Sequence, residues 1–413
     1  MKAMKRIFAC VAAVAAAALL AGCGNGSPAS PPTDVSVVAG DGSVTVSWTM
    51  ASEVEYWLFY APASSITTDN WTSLPGSQVR TSVTSPRLVT ALTNGATYAF
   101  TVNGRYGHGP GGAGSPSLAA VPRLAGAAWT AGTSLAATNL RGVAYGAAYV
   151  AVGDAGTMFS SPDGITWTPQ ISNVTTDLNA AIYGGSYVAV GAVGVILQSS
   201  DSVTWTPRTS PTASSLNAVT TNGGGVYVAV GAAGTIITSS DTVTWTPAVS
   251  SGITPSDLYA VTYGNGLYVA VGANGTLLTS ADASNWTLQA VTPSTASALR
   301  GVAYGSATVG GTATPLFVAV GDAGTLVTSP DGVNWTLQSP IGSSTLNAVT
   351  FGHQFIAVGN GGSIFTSVDG VTWPAATSVT PATSSNLYGV AHNATDPYGY
   401  SAVGAAGVNL SAF

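Results

Sequence analysis

Residues 140–169 read LRGVAYGAAYVAVGDAGTMFSSPDGITWTP, and this stretch decides the fold. It contains four runs of apolar, β-branched and aromatic residues, and Gly, Asp or Pro separates each run from the next. Runs of this length and composition predict four short β-strands, which we name A, B, C and D in chain order.

The same pattern starts seven times between residue 140 and the end of the chain. Its starting residues are Leu140, Leu178, Leu216, Leu258, Leu299, Leu346 and Leu387. A repeat of about 40 residues that holds four strands is typical of β-propeller blades. The sequence therefore predicts an all-β fold with a seven-bladed propeller over residues 127–413.

The second residue after each starting Leu is always small. This favours strand A as the innermost strand, where seven blades crowd around one axis and a larger side chain has no room. The residues at this position are Gly142, Ala180, Ala218, Ala260, Gly301, Ala348 and Gly389.

The seventh repeat ends before its D strand. After Leu387 the chain supplies strands A and B and a C-like stretch at Val408–Phe413, and then it stops. A matching strand lies ahead of the first repeat, because Trp129 precedes Leu140 by the same interval that separates Trp167 from Leu178. We expect the strand at Trp129 to pair with the strand ending at Phe413 and to close the ring, which removes two exposed strand edges.

A Ser, an Asp and a Trp recur with fixed spacing in six repeats. They are Ser161, Asp163 and Trp167; Ser199, Asp201 and Trp205; Ser239, Asp241 and Trp245; Ser280, Asp282 and Trp286; Ser329, Asp331 and Trp335; and Ser367, Asp369 and Trp373. This pattern resembles the Asp-box (BNR) repeat of sialidase-like propellers and their photosystem II assembly-factor relatives. We expect the Asp and Ser side chains to bond nearby backbone groups in the C-to-D turn, and the Trp to pack between blades. Six copies favour a structural role over a catalytic one.

Residues 32–122 carry a different pattern. The alternation of Val44, Val46 and Trp48 indicates a strand with one buried face. Together with the segment LTNGATYAF at 92–100, Trp48 makes this region resemble a fibronectin type III domain, with Trp48 as the core tryptophan and Tyr98 in the tyrosine corner. The resemblance implies a β-sandwich that acts as a spacer or adhesive arm. The Gly-rich residues 107–114 are expected to form a mobile hairpin tip.

The first 23 residues resemble a bacterial lipoprotein signal. Three basic residues precede an apolar run that ends in Leu-Ala-Gly and Cys23. Cleavage before Cys23 and acylation of its thiol imply a lipid anchor, with residues 24–31 as a flexible tether. The alternative, an uncleaved membrane helix, needs roughly 20 apolar residues, more than the run from Ile7 supplies. Gly24 after the cysteine favours the outer membrane by analogy with other lipoproteins.

Composition narrows the possible functions. After residue 23 the chain has no Lys and no Cys, and charged residues make up only 6% of the whole sequence. These features argue against nucleic acid binding, disulfides and cysteine metal sites. His108, His353 and His392 have no metal-ligand spacing, so we expect surface or loop residues and neither a metal nor a cofactor.

Catalytic groups are scarce in the predicted propeller. Residues 127–413 contain no Glu, no Lys and no Cys, and their arginines are Arg141, Arg208 and Arg300. The sialidase resemblance implies an arginine cluster and a Tyr activated by an acidic residue, but no Glu is present for that role. Asp154 and Asp322 repeat at one blade position, in blades one and five, too far around the ring for the roughly 5–9.5 Å separation of glycosidase carboxyl groups. We therefore expect no catalytic residues.

Two sets of residues are candidates for ligand binding. Arg141 with Asp154 and Arg300 with Asp322 occur at matching positions, which predicts either an ion pair within each blade or direct ligand contact. The residues that follow the starting leucines should line one mouth of the channel, where their hydrogen-bonding groups and flat rings suit a concave binding site. The alternative is that they satisfy strand ends and buried water. This ring comprises Arg141, Asn179, Asn217, Tyr259, Arg300, Asn347 and Tyr388.

Together these features predict a monomeric, lipid-anchored envelope protein whose propeller is a non-catalytic platform for a protein partner. Binding of a carbohydrate is the alternative, and glycan hydrolysis is a weaker third. Fold alone does not choose among them.

Overall fold

The computed structural model describes residues 27–107, 109–309, 312–376, 378–380, 383–393 and 399–412. Within these ranges the regular structure is β-strand with short 3-10 turns, and no helix has the length and apolar character needed to span a membrane. The chain divides into two compact units, Met1–Leu124 and Ala125–Phe413. The predicted signal and Cys23 lie outside the described residues.

The first unit contains two antiparallel sheets and a 3-10 turn at Trp71–Ser73. One sheet has the order Pro28–Ala29, Tyr98–Tyr106, Val54–Ala61 and Gln78–Val83, with Leu118–Ala120 also paired to Tyr98–Tyr106; the other has the order Ser36–Gly40, Ser43–Ser47 and Arg87–Val89. Val44, Val46 and Trp48 are buried in one core between them, as the alternation predicts.

The Gly-rich stretch of this unit packs against the strand before it. Gly112 N donates to Gly104 O at 3.0 Å, and Gly114 forms a bridge with Asn103. A Cβ on Gly112 would lie 2.2 Å from the Ala29 carbonyl oxygen, so the missing side chains let the backbone approach. In the structure these residues are bonded to the strand Tyr98–Tyr106, and the mobility of the stretch stays a prediction; His108 lies outside the described residues.

The described part of the second unit contains seven small sheets, which we number 1 to 7 in chain order. Strand A spans Leu140–Tyr145, Leu178–Tyr183, Leu216–Thr221, Leu258–Gly264, Leu299–Val309, Leu346–Phe351 and Leu387–Asn393. Strand B spans Tyr149–Gly153, Tyr187–Gly191, Tyr227–Gly231, Leu267–Gly272, Thr312–Gly321, Phe355–Gly359 and Gly399–Gly404. Strand C spans Met158–Ser161, Ile196–Ser199, Ile236–Ser239, Leu277–Ser280, Leu326–Ser329, Ile364–Ser367 and Asn409–Ala412.

The outer strands are shorter and differ among sheets. Strand D spans Thr168–Pro169, Thr206–Arg208, Thr246–Pro247, Thr287–Leu288 and Trp335–Leu337 in sheets 1 to 5, and Ala128–Ala131 in sheet 7. In sheet 6 a single bridge between Phe365 and Ala375 takes its place. Val291–Thr292 adds a fifth, parallel strand to sheet 5, and Ser378–Thr380 does the same in sheet 7.

The sheets follow one another around a ring. Strand A of each sheet contacts strand A of the next, and strand A of sheet 7 contacts strand A of sheet 1. A 3-10 turn links B to C in each sheet: Asp154–Gly156, Ala192–Gly194, Ala232–Gly234, Ala273–Gly275, Asp322–Gly324, Asn360–Gly362 and Ala405–Gly407. This is the arrangement of a β-propeller.

The small residues on strand A lie where neighbouring sheets approach most closely. A Cβ on Gly142 would lie 2.9 Å from the Ala180 Cα, and one on Gly389 would lie 3.2 Å from the Gly142 Cα. The predicted crowding of the innermost strands is confirmed.

The ring closes through the predicted strand. Ala128–Ala131 is antiparallel to Asn409–Ala412, with Leu410 opposite Ala131 and Ser411 opposite Thr130. Trp129 is 2% exposed, and its indole packs with residues of sheets 6 and 7. The predicted pairing is thus confirmed; Phe413 itself lies outside the described residues.

The Ser, Asp and Trp repeats form the expected turns. In sheet 2, Asp201 Oδ1 accepts hydrogen bonds from Ser199 Oγ at 3.0 Å and from the Val203 and Thr204 amides at 2.9 and 2.7 Å. These bonds lower the pKa of Asp201 to about 2. Trp205 packs in a cluster with sheet 1 residues, so the indole fills the space between two sheets as predicted.

Candidate functional site

A central cavity of about 600 Å³ opens where the A strands begin. All seven predicted ring residues line it: Arg141, Asn179, Asn217, Tyr259, Arg300, Asn347 and Tyr388. Small residues and valines of strand A, such as Gly142, Val143 and Val261, form its deeper wall. The cavity therefore has a polar, aromatic mouth above a narrow apolar throat.

Each arginine of this ring is neutralised by an aspartate. Arg141 Nε pairs with Asp154, and Arg141 Nη2 lies 3.0 Å from Asp177 Oδ2. Arg300 Nε lies 2.5 Å from Asp322 Oδ1, and Arg300 Nη2 donates to Asp322 Oδ2 at 3.3 Å. The predicted pairing within each blade is confirmed.

The pair of Arg300 and Asp322 also changes the acidity of its two members. The hydrogen bond and charge of Asp322 raise the pKa of Arg300, and those of Arg300 lower the pKa of Asp322. Asp154 and Asp322 are not part of the cavity wall, so they reach the site through their arginine partners. Both carboxylates thus orient arginines and are poor candidates for proton transfer.

The three asparagines of the ring join neighbouring sheets. Asn179 Nδ2 donates to Leu216 O at 2.9 Å, and Asn217 Nδ2 donates to Leu258 O at 2.9 Å. Asn347 Nδ2 donates to Leu387 O at 2.8 Å and to an amide oxygen of Asn360 at 2.9 Å. Asn179 and Asn217 thus each use one of their two N–H donors, and Asn347 uses both, so the first two can still both donate to and accept from a ligand. The three asparagines therefore satisfy carbonyl groups at strand ends, which is the role considered as the alternative to ligand binding.

A second set of polar residues, one position before four of the starting leucines, was missed by sequence reasoning. Asp177 Oδ1 accepts from Ala155 N at 2.9 Å, and Asp257 Oδ1 accepts from Ala233 N at 2.9 Å. Asn386 and Asn139 accept in the same way from turn amides of sheets 6 and 7. An Asp or Asn at this position in four of seven repeats is a signal that the sequence carries.

Of the two described histidines, His353 is exposed in a loop as expected, whereas His392 lies half-buried on strand A of sheet 7, so the expectation is wrong for His392. The rings of His353 and His392 lie 5.9 Å apart, and His392 packs 4.9 Å from Tyr400. Burial and the nearby His353 lower the pKa of His392 to about 4. Sequence spacing misses the pair because the two residues come from adjacent sheets. Across the described ranges, no group of three or more His, Cys, Asp or Glu has a metal-binding arrangement.

No protein-family model and no curated protein sequence matches this chain. Its structure is similar to YCF48 bound to D1 peptide, with 18% identity over 69% of this chain and 94% of that chain and a TM-score of 0.55. It is also similar to YCF48 from Cyanidioschyzon merolae, with 20% identity, coverage of 69% and 98%, and a TM-score of 0.54.

A third similar structure is that of the RRP9 WD40 repeats, with 7% identity, coverage of 67% and 94%, and a TM-score of 0.52. At these identities the likeness concerns the fold alone. It confirms an all-β propeller like that of YCF48, a photosystem II assembly factor.

Proposed function

We propose that this chain is a lipid-anchored protein of the bacterial envelope whose propeller binds a protein partner without catalysis. In this proposal residues 1–22 are removed and Cys23 carries the lipid. The expectation of a flexible tether over residues 24–31 is wrong for Pro28–Ala29, which pairs with Gly104 and Arg105 in a sheet of the first unit; residues 24–26 lie outside the described residues. Residues 32–122 form a fibronectin type III-like module, and residues 127–413 form a seven-bladed propeller. The propeller presents its central cavity to the partner.

The observation that carries the proposal is the cavity itself. Seven residues from seven sheets place two guanidinium groups, three amides and two phenol rings around one opening of about 600 Å³. A concave site with a few convergent polar groups is the usual form of a binding site. The similar YCF48 structure bound to D1 peptide supports a peptide segment as the ligand class.

The chemistry of the cavity favours binding over catalysis. Asp154 and Asp322 are held by arginines, and the propeller sequence has no Glu, Lys or Cys to act as a base or nucleophile. A general base must reach the substrate and have a pKa near the working pH. Neither Asp154 nor Asp322 lines the cavity, and the bond to Arg300 lowers the pKa of Asp322.

Contacts in the first unit support the fibronectin-like assignment. Trp48 is 5% exposed in the core between the two sheets. The Tyr98 hydroxyl accepts a hydrogen bond from Thr93 N at 3.2 Å, which is the backward contact expected of a tyrosine corner. We assign this module the role of a spacer.

Capture of partners tests the proposed function. Immobilised protein from residue 24 onward is exposed to envelope proteins and to a glycan panel, beside the Arg141→Ala/Arg300→Ala double variant. We expect one protein partner, lost from the double variant. Arg208→Ala is the matched control. Arg208 is the third propeller arginine, and it lies on the outer D strand of sheet 2, where it donates to Gln198 of strand C. Equal capture by the double variant would refute binding at the cavity.

The glycan panel addresses the second candidate function. Tyr259 and Tyr388 in the cavity wall supply flat rings of the kind on which sugars stack. Retention of a glycan and of no protein would favour the carbohydrate alternative.

The anchor and the location have their own test. Cells that express the full chain are labelled with a clickable fatty acid, and their inner and outer membranes are then separated. We expect label in the outer membrane fraction and none on Cys23→Ala. Label on Cys23→Ala, or an unlabelled parent chain, would refute the anchor.

A further inference from the structure

We propose that the Tyr388 ring receives a positively charged side chain, Arg or Lys, from the protein partner. This inference rests on the proposed function and names the chemical group that the cavity recognises. Two neighbouring Tyr and Arg pairs in the ring, Tyr259 with Arg300 and Tyr388 with Arg141, make different contacts.

The first place shows the interaction already made within the molecule. Tyr259 of sheet 4 lies beside Arg300 of sheet 5, and the guanidinium carbon sits 5.4 Å from the centre of the Tyr259 ring. A cation over an aromatic face within about 6 Å is attracted by the ring quadrupole. Asp322 also bonds this guanidinium through Arg300 Nε and Nη2.

The second Tyr and Arg pair has the same residue types but makes a different contact. Tyr388 of sheet 7 lies beside Arg141 of sheet 1, with Asp154 in the position of Asp322. Among the described residues, however, no guanidinium lies over the Tyr388 ring. Tyr388 is half-buried and lines the cavity wall, so part of its side chain is accessible from the cavity.

Two residues distinguish the first place from the second. Asn139 Nδ2 donates to Asp154 Oδ2 at 2.8 Å, whereas Asp322 Oδ2 accepts from Arg300 Nη2 and position 298 is Ala. Asp177 is the other. Arg141 turns towards sheet 2, where Asp177 Oδ2 lies 3.0 Å from its Nη2. At the equivalent position of sheet 6, the chain has Thr345, whose hydroxyl donates to Asp322 at 3.3 Å and offers Arg300 no second carboxylate. Asp177 thus holds Arg141 away from Tyr388.

The charges around the cavity mouth favour a cation beside the Tyr388 ring. The arginines of the ring are paired with Asp154, Asp177 and Asp322, and the exposed Asp257 adds a carboxylate with no arginine partner among the described residues. Each ring asparagine donates an N–H to the backbone of the next sheet, which reduces the donor groups left for an anionic ligand. Beyond residue 23 the chain has seven Arg and no Lys against 16 acidic residues, so its overall field also attracts cations.

The test uses small probes of defined charge. N-acetylarginine amide, N-acetylglutamine amide and N-acetylglutamate amide are titrated against the protein from residue 24 onward, with binding followed by saturation-transfer NMR. We expect the arginine probe to bind in the millimolar range, several-fold more tightly than the glutamine probe, and the glutamate probe to bind most weakly. Added salt should weaken the binding of the arginine probe, because salt screens the interaction between charges.

Variants of Tyr388 identify the aromatic face as the contact. Tyr388→Leu should weaken the arginine probe by about two- to fivefold, and Tyr388→Phe should retain its affinity, because the ring rather than the hydroxyl makes the contact. Tyr106→Leu is the control, since Tyr106 is an exposed tyrosine of the first unit, at 44% exposure. Near-ultraviolet circular dichroism verifies that the variants fold.

Asp177→Thr provides an independent test. This change recreates the Thr345 environment, so Arg141 should move onto Tyr388 and compete with the arginine probe, which then binds about two- to fivefold more weakly. Unchanged affinity would refute the role assigned to Asp177.

The outcomes separate this inference from the proposed function. No binding of the arginine probe, no preference for it, or an affinity unaffected by Tyr388→Leu would overturn the inference. If the partner capture still depends on Arg141 and Arg300, the proposed function stands and only the recognised group is wrong. If capture also fails, both proposals fall.

Discussion

Two glycines in every propeller repeat are required for different reasons. In sheet 3, a Cβ on Gly231 would lie 2.0 Å from the Ser215 carbonyl oxygen, although the backbone there is extended. Gly234 has a φ of +68°, and its Cβ would lie 2.0 Å from the Thr254 carbonyl oxygen. The first glycine therefore permits close approach of strand A, and the second also permits a left-handed turn.

Gly231→Ala should lower the free energy of unfolding by at least about 1–3 kcal/mol, because the added methyl must displace backbone. Denaturant unfolding measures the loss. Gly224→Ala is the control in the same sheet, since its Cβ would lie 3.4 Å from the nearest side-chain atom. Equal stability of the two variants would contradict this account.

His392 makes stability depend on pH. Burial lowers its pKa in the folded state to about 4, from 6.5 in the unfolded chain, so the unfolded chain binds more protons between these values. The contribution of His392 to stability is complete above pH 6.5 and is lost as the pH falls towards 4.

His392→Phe places at this site the residue found at the equivalent position 351. We expect the variant to lose less stability than the parent chain between pH 6.5 and 4. Thermal unfolding across this range measures the difference, and the acidic residues contribute equally to both proteins. Parallel curves for the two proteins would show that His392 does not titrate on unfolding.

Among the individual strands, two features keep the outer D strands from pairing with a further strand. In sheets 1, 2 and 3, the strand contains Pro169, Pro207 or Pro247. The Gln170 amide donates inward to Met158 O, so the missing N–H of the preceding proline belongs to the outer edge. Such prolines prevent a further strand from pairing there.

Sheets 4, 5 and 7 have no proline in strand D, and a segment from the preceding repeat covers the edge. Val291–Thr292 and Ser378–Thr380 pair with the edges of sheets 5 and 7. Ser250 N donates to Ser284 O at 3.1 Å beside sheet 4. In these three places the chain between the preceding Trp and the next starting Leu is longer than it is ahead of the other sheets. Sheet 6 has Pro374 directly after its Trp and only one bridge.

Replacing Pro169, Pro207 and Pro247 together with Thr should expose three edges with complete outward donors. We expect concentration-dependent self-association, measured by sedimentation velocity. Pro211→Thr is the control, because Pro211 lies in the exposed segment between sheets 2 and 3. Sedimentation of the triple variant identical to that of the parent chain would refute the protective role.

At the scale of the whole molecule, the ring depends on one strand that joins its two ends. Trp129 and Trp335 make the same local contacts: each is 2% exposed, and each indole N–H donates at 2.8 Å to the carbonyl three residues before it. Only Trp129 lies on a strand that pairs with the C-terminal strand Asn409–Ala412.

Trp129→Ala and Trp335→Ala should each cost about 3–5 kcal/mol of stability. We expect only Trp129→Ala to accelerate amide hydrogen exchange in Asn409–Ala412, because it loosens the closure. Mass spectrometry of exchanged peptides distinguishes the two variants. Protection of this strand in Trp129→Ala would mean that backbone pairing alone holds the ring closed.

The sequence by itself determined the propeller, its closing strand and the residues around its cavity. Each of these is a periodic pattern: small residues recur where strands crowd, and Trp129 stands at the spacing of its counterparts in the repeats. The periodic pattern predicts these features because each repeat packs against its two neighbours in the same way. The box turns are also local, so their bonds follow from residues within a few positions of one another.

Only the tertiary structure decided which partner each cavity side chain takes. Arg141 and Arg300 hold equivalent positions in sheets 1 and 5, yet one bonds Asp177 and the other lies over Tyr259. The sequence shows an Asp at position 177, but not that its carboxylate reaches Arg141. The pairing of His353 with His392 is likewise invisible in the sequence. These contacts join residues from adjacent sheets, about one repeat apart in the chain. Several partners compete within a few ångströms, and their relative positions exist only after the ring has closed.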